Sequence, residues 1–123
     1  MDITQKALWG LNHSEAVASA REDGTYSPDM LIELEGRVST FDDLPVEDRV
    51  WVMEACRLAA AANEAVEANQ LMEDARTAGT LGDDTVIPLR GEERTIGSLT
   101  ADDIEYFRSM TQLAIDIEEA LQA

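Results

Sequence analysis

The chain has 123 residues, one cysteine, one histidine and 26 acidic against nine basic side chains, for a formal net charge of −17. That length favours a single domain able to bury roughly two-thirds of its unfolded surface without disulfide or metal support. The charge disfavours direct binding of nucleic acid or an anionic membrane and favours basic protein partners.

In chain order, Asp2 to Asp23 reads as a first helix. Asp2 is placed to cap it, with Gln5 three residues on, and Ile3, Ala7, Leu8, Leu11, Val17 and Ala18 form its apolar face. The stretch Gly10-Leu11-Asn12-His13-Ser14 is poor helix material, so a break with Ser14 as a new cap is the alternative. His13 has no second histidine or cysteine nearby and reads as a surface or capping residue.

Ser27-Pro28 resembles a cap followed by a first-turn proline, and Gly36 a helix stop. A short helix is therefore expected over 28–35, with Met30, Leu31 and Leu34 inward. The segment from Arg37 to Leu44 reads as a connector, with Phe41 and Leu44 dipping into the core. As a calcium loop, Asp23 to Leu34 fails, with Pro28 where glycine is needed and Leu34 where glutamate is needed.

A long alanine-rich helix over 45–78 is the element around which the rest is arranged. Pro45 fits its first position, Gly79 its left-handed cap, and no glycine or proline lies between them. Its seam is Trp51, Ala55, Leu58, Ala62, Ala65, Asn69 and Met72, widened by Val50, Met53, Ala59 and Val66. At roughly 50 Å such a helix is long for a chain of this size, so it either projects or breaks near Ala62-Asn63-Glu64. Cys56, in its middle, reads as a buried inert thiol.

Two short strands are expected around Gly91-Glu92, making a hairpin or arm over 85–97, with Pro88 confining the first strand to an edge. The last helix spans 100–122. Thr100 with Asp103 has capping-box spacing, and Ile104, Phe107, Met110, Ala114, Ile117 and Leu121, broadened by Leu113 and Ile115, form its stripe. The expected fold is thus mainly α: a small helical bundle in one domain, 1–123, with a β-hairpin before the C-terminal helix.

Catalytic material is scarce. With one histidine and one cysteine there is no zinc ligand set or nucleophilic dyad, and no glycine-rich phosphate loop is present. The carboxylate doublets, such as Asp83-Asp84 and Glu118-Glu119, diverge when adjacent on a helix. The expectation is a non-enzymatic protein with no cofactor and no metal. Met1 to Lys6 lacks a signal-peptide pattern and no apolar run reaches membrane length, so the expected location is the cytoplasm, the host's if the protein is viral.

Three readings of the charge compete. The first is a nucleic-acid mimic. Duplex DNA carries one charge per about 1.7 Å; seventeen net charges along roughly 40 to 50 Å come to about one per 2.5 to 3 Å. In size and charge the chain resembles the small phage-encoded inhibitors, anti-CRISPR and anti-restriction proteins among them, that occupy a basic nucleic-acid groove. The residues expected to meet the partner are Glu47, Asp48, Glu54, Glu64, Glu67, Glu73, Asp74, Glu118 and Glu119. The second reading is a phage structural or assembly protein that oligomerises or docks through the long helix and the hairpin arm. The third is an ordinary helical domain of a salt-adapted organism.

Overall fold

The computed structural model describes residues 2–22, 31–34, 36–40 and 43–122. The chain is mainly helical, with three helices, one of them long, and a two-stranded antiparallel hairpin before the C-terminal helix. The elements run α1 (Ile3–Glu22), β1 (Leu31–Leu34), β2 (Arg37–Thr40), α2 (Val46–Ala78), β3 (Val86–Leu89), β4 (Glu92–Thr95), a single 3-10 turn (Ile96–Ser98) and α3 (Ala101–Gln122). They fall into two compact units, Met1–Ala59 and Ala60–Ala123, and α2 contributes to both.

In the first unit, Asp2 caps α1 as its sequence implies: its carboxylate accepts the Gln5 N–H at 2.8 Å and its carbonyl the Lys6 N–H at 3.0 Å. The helix does not break at Gly10. That glycine is buried against α2, where an added Cβ would lie 2.1 Å from the Ala55 carbonyl oxygen. The missing side chain is what lets the two backbones meet. Leu44, Val52 and Cys56 form a small core, with Trp9, Trp51 and Met53 packed on it. Trp9 meets Trp51 edge-on at 5.0 Å, and Lys6 lies over the Trp51 ring.

The short helix expected over 28–35 is not what forms at its described residues. Leu31–Leu34 is a strand, paired antiparallel with Arg37–Thr40 in the register Leu31↔Thr40 to Leu34↔Arg37. Residues 28–30 and Phe41 lie outside the described residues. Leu-Ile-Glu-Leu is too short to show a period, and β-branched Ile32, Val38 and Thr40 favour the ladder. Gly36, read as a helix stop, has φ +78° because it closes a two-residue hairpin turn. The expected connector after it is therefore half strand, and Leu44 is buried as anticipated.

Helix α2 is continuous through Ala62-Asn63-Glu64. Pro45 stands one position before it, its carbonyl accepting the N–H groups of Asp48 and Arg49, both at 3.0 Å. At the far end Gly79 is left-handed, φ +75°. The bonds from Thr80 N to the Ala75 carbonyl and from Gly79 N to the Arg76 carbonyl complete a Schellman cap. Along the seam Ala55, Leu58, Ala62 and Ala65 are buried, but Val50 and Val66 are exposed.

The second unit encloses Ala61, Ala65, Ala68, Ile87, Leu89, Leu113 and Ile117. Asn69 Nδ2 donates to Thr111 Oγ1 at 3.0 Å, tying α2 to α3. The hairpin turn is Arg90-Gly91, one residue earlier than expected, with φ +54° and +78°. Both central residues of this turn type need positive φ. On α3, Leu113 and Ile117 are covered, whereas Ile104, Ile115 and Leu121, expected in the stripe, are exposed. The covered face is turned toward Asp103, which is itself buried.

Candidate partner-binding surface

Physical chemistry gives each expected acid a different task. In the first unit Glu47 and Asp48 sit in the first turn of α2, where the helix dipole favours carboxylates. Glu47 is exposed and Asp48 half-buried. Glu54 accepts Arg57 Nε at 2.9 Å. That guanidinium hydrogen bond holds the Glu54 carboxyl below the usual range against the opposing effect of partial burial, with the charges of Arg57 and Lys6 assisting.

In the second unit Glu64 faces inward to its own chain. Its carboxylate takes the Arg90 N–H at 2.6 Å and the Gly91 N–H at 2.8 Å, so it clasps the hairpin turn. Left-handed backbone is costly for a residue with a Cβ. Glu64 holds the turn there with two charge-assisted bonds, one from Arg90 N–H and one from Gly91 N–H. Glu67 and Asp74, seven residues apart, share the outer face of α2. Glu73 lies about 100° away from Asp74. It is bound to Arg76 through both carboxylate oxygens. Glu118 and Glu119 are exposed near the end of α3, Glu118 accepting Gln122 Nε2 at 3.4 Å.

The centre of this unit is a residue read from the sequence only as part of a helix start. Asp103 and Thr100 form a reciprocal cap: Thr100 N–H donates to Asp103 Oδ2 at 3.0 Å, and Asp103 N–H to Thr100 Oγ1 at 3.2 Å. Arg90 Nη1 reaches Asp103 Oδ1 at 3.3 Å and Arg94 Nη2 reaches Oδ2 at 3.2 Å. Arg94 also donates to the Ser98 carbonyl at 3.0 Å, and the Arg90 guanidinium lies over the Tyr106 ring at 4.4 Å. The Thr100 N–H is the main reason the Asp103 carboxyl is held below the ordinary aspartate value; burial opposes it, and the Thr100 side chain, Arg94 and Arg90 add to it.

This arrangement decides the charge of the outer surface. Three of the unit's arginines, 76, 90 and 94, are engaged with Glu73 and Asp103. Among the described residues of this unit, exposed Glu67, Asp74, Asp83, Asp84, Glu92, Glu93, Asp102, Glu105, Glu118 and Glu119 have no arginine partner. Of these, Glu67, Asp74, Glu118 and Glu119 were expected at the surface site; the others lie in a loop, a strand and the first turns of α3. No group of three or more metal-ligating side chains forms among the described residues, and no described helix is long and apolar enough to cross a membrane. No family model, curated protein or solved structure matches the chain.

Proposed function

We propose that the chain is a non-enzymatic, acidic interaction protein whose exposed carboxylates occupy a basic, nucleic-acid-binding groove of another protein. The observation that carries this reading is the engagement of Arg76, Arg90 and Arg94 with Glu73 and Asp103, which leaves Arg108 as the one remaining base of residues 60–123 against ten exposed acids. Glu118 and Glu119 add support. They stand toward the C-terminal end of α3, where the helix dipole opposes carboxylates, and no base occupies the last turn. Acids placed against stability in this way fit a surface kept for a partner.

The test is capture of partners from bacterial lysate by the tagged chain at low and high salt, with duplex DNA as competitor. A nucleic-acid-binding protein that is released by salt and displaced by DNA supports the reading, because surface charge is screened within about 8 Å at physiological ionic strength. Capture that is indifferent to both salt and DNA overturns it.

A second reading, an assembly part that oligomerises or docks, is favoured by one observation. Val46, Val50 and Leu121 are each more than 60 % exposed. Apolar side chains left uncovered in one copy are what an oligomer would bury. Light scattering over a concentration series separates the two, since a defined oligomer that retains no basic partner supports assembly alone.

A further inference from the structure

One stripe of α3 is uncovered, and it carries apolar, basic and acidic side chains together. Ile104 and Ile115, both exposed, stand eleven residues apart, which on a helix is three turns and about 20°. Arg108, Glu118 and Glu119 are exposed beside them, and the five side chains fall within about 100° of the helix surface. Leu113 and Ile117, on the opposite side, are buried.

The charges of this stripe have no counter-charge within their own unit. Arg108 is the one base of residues 60–123 outside the ion pairs of Arg76, Arg90 and Arg94, although Glu105 stands three residues before it. Glu118 and Glu119 have no base in the last turn, where the helix dipole disfavours them. Glu118 accepts from a neutral group, Gln122 Nε2 at 3.4 Å. A cation and an anion thus share one face, ten residues and about 15 Å apart along the helix, too far to meet.

Two such faces laid antiparallel bring them together. With a two-fold axis at the level of residue 113, Arg108 of each copy stands level with Glu118 of the other, because the two positions are equidistant from the axis. The two Ile115 side chains then flank the axis, about 6 Å apart along it, and Ile104 stands level with Gln122 of the second copy. In a two-fold contact every such pair is made twice. We infer that the stripe of Ile104, Arg108, Ile115, Glu118 and Glu119 is a self-association face, and that its occupant is the same stripe of a second copy of this chain, laid antiparallel. Glu67, Asp74 and the acids of β4 belong to other elements, so capture of a basic partner and pairing through α3 succeed or fail separately.

Sedimentation equilibrium of the full chain tests this at an ionic strength of about 0.15 M, where repulsion between two chains of net charge −17 is screened within about 8 Å. A monomer–dimer equilibrium is expected. R108E should raise its dissociation constant about tenfold or more, because one substitution turns two attractive pairs repulsive. E118R/E119R should weaken the dimer likewise, and R108E/E118R/E119R, which restores the pairs with their signs exchanged, should recover it. V50E, at the exposed start of α2, should leave it unchanged. A chain that stays monomeric to about 1 mM overturns the inference. So does a dimer that is indifferent to R108E, one that the triple variant fails to recover, or one that V50E abolishes. Association of the unaltered chain is read without any variant, and all four substituted positions are exposed on helices.

Discussion

Gly10 lies so close to Ala55 that a methyl group at position 10 would stand 2.1 Å from the Ala55 carbonyl oxygen and 2.9 Å from the Cys56 nitrogen. Two effects of opposite sign meet there. Alanine is the better helix residue by about 1 kcal/mol. Against this, the contact is with backbone, which cannot swing aside, and forced overpacking costs about 1–3 kcal/mol even where side chains can adjust. Gly10→Ala should therefore destabilise the chain by about 1–2 kcal/mol, read as a lower urea midpoint. A variant at least as stable as the parent would show that α1 does not approach α2 in this way.

Asp103 links a pH dependence to the clasp. Its folded pKa is lowered, so its contribution is fully present above the ordinary aspartate value of 3.8 and is lost as pH falls through the folded value. The unaltered chain should lose stability in that acid window, and Asp103→Asn should be less stable at neutral pH but flatter below pH 4. Asp102→Asn, which alters an exposed first-turn acid, should change the neutral midpoint far less. Urea midpoints across pH for the three chains check the ordering.

Ile87 is among the most completely covered large side chains of the molecule. Ile87→Ala should cost about 2–4 kcal/mol, the range for emptying a packed site. Val86→Ala, at an exposed position of the same strand, should change stability by less than about 0.5 kcal/mol. An Ile87→Ala cost below about 0.5 kcal/mol, typical of surface substitutions, would show that the Ile87 side chain is not packed in this way.

Glu118→Gln with Glu119→Gln should raise stability slightly, by about 0.3–1 kcal/mol at low ionic strength, because carboxylates near a helix C-terminus oppose its dipole. The same substitutions combined with E67Q and D74N should weaken capture of a basic partner. A salt-adapted domain behaves otherwise: its parent chain should grow steadily more stable with added KCl, and the fourfold change should leave partner capture where it was. Thermal midpoints over a salt series, run beside the capture assay, distinguish these outcomes.

The helices were legible before any coordinates. Asp2 with Gln5, Gly79, and Thr100 with Asp103 are terminal signals that act within a few residues, and each operates as its sequence implies. The first hairpin was not legible, although its twin was. Val-Ile-Pro-Leu-Arg-Gly reads as a strand and turn because Pro88 and Val86 exclude a helix; Leu-Ile-Glu-Leu-Glu-Gly satisfies a helix as well, and glycine ends both.

Sequence by itself determined the charge, the ends of α2 and the start of α3, and the scarcity of nucleophiles and metal ligands, because these depend on composition or on neighbours within one turn. Tertiary structure alone decided which acids face outward. Glu73 has a local partner in Arg76, three residues on, whereas nothing near Glu64 in the sequence marks it as the residue that clasps a hairpin turn 26 residues away. Asp103 looked like a capping residue and is one, but only folding brings Arg90 and Arg94 to it and so pairs both guanidinium groups with a buried carboxylate. Capping is settled by adjacent backbone, whereas the disposition of charge depends on which distant side chains the fold brings within hydrogen-bonding reach.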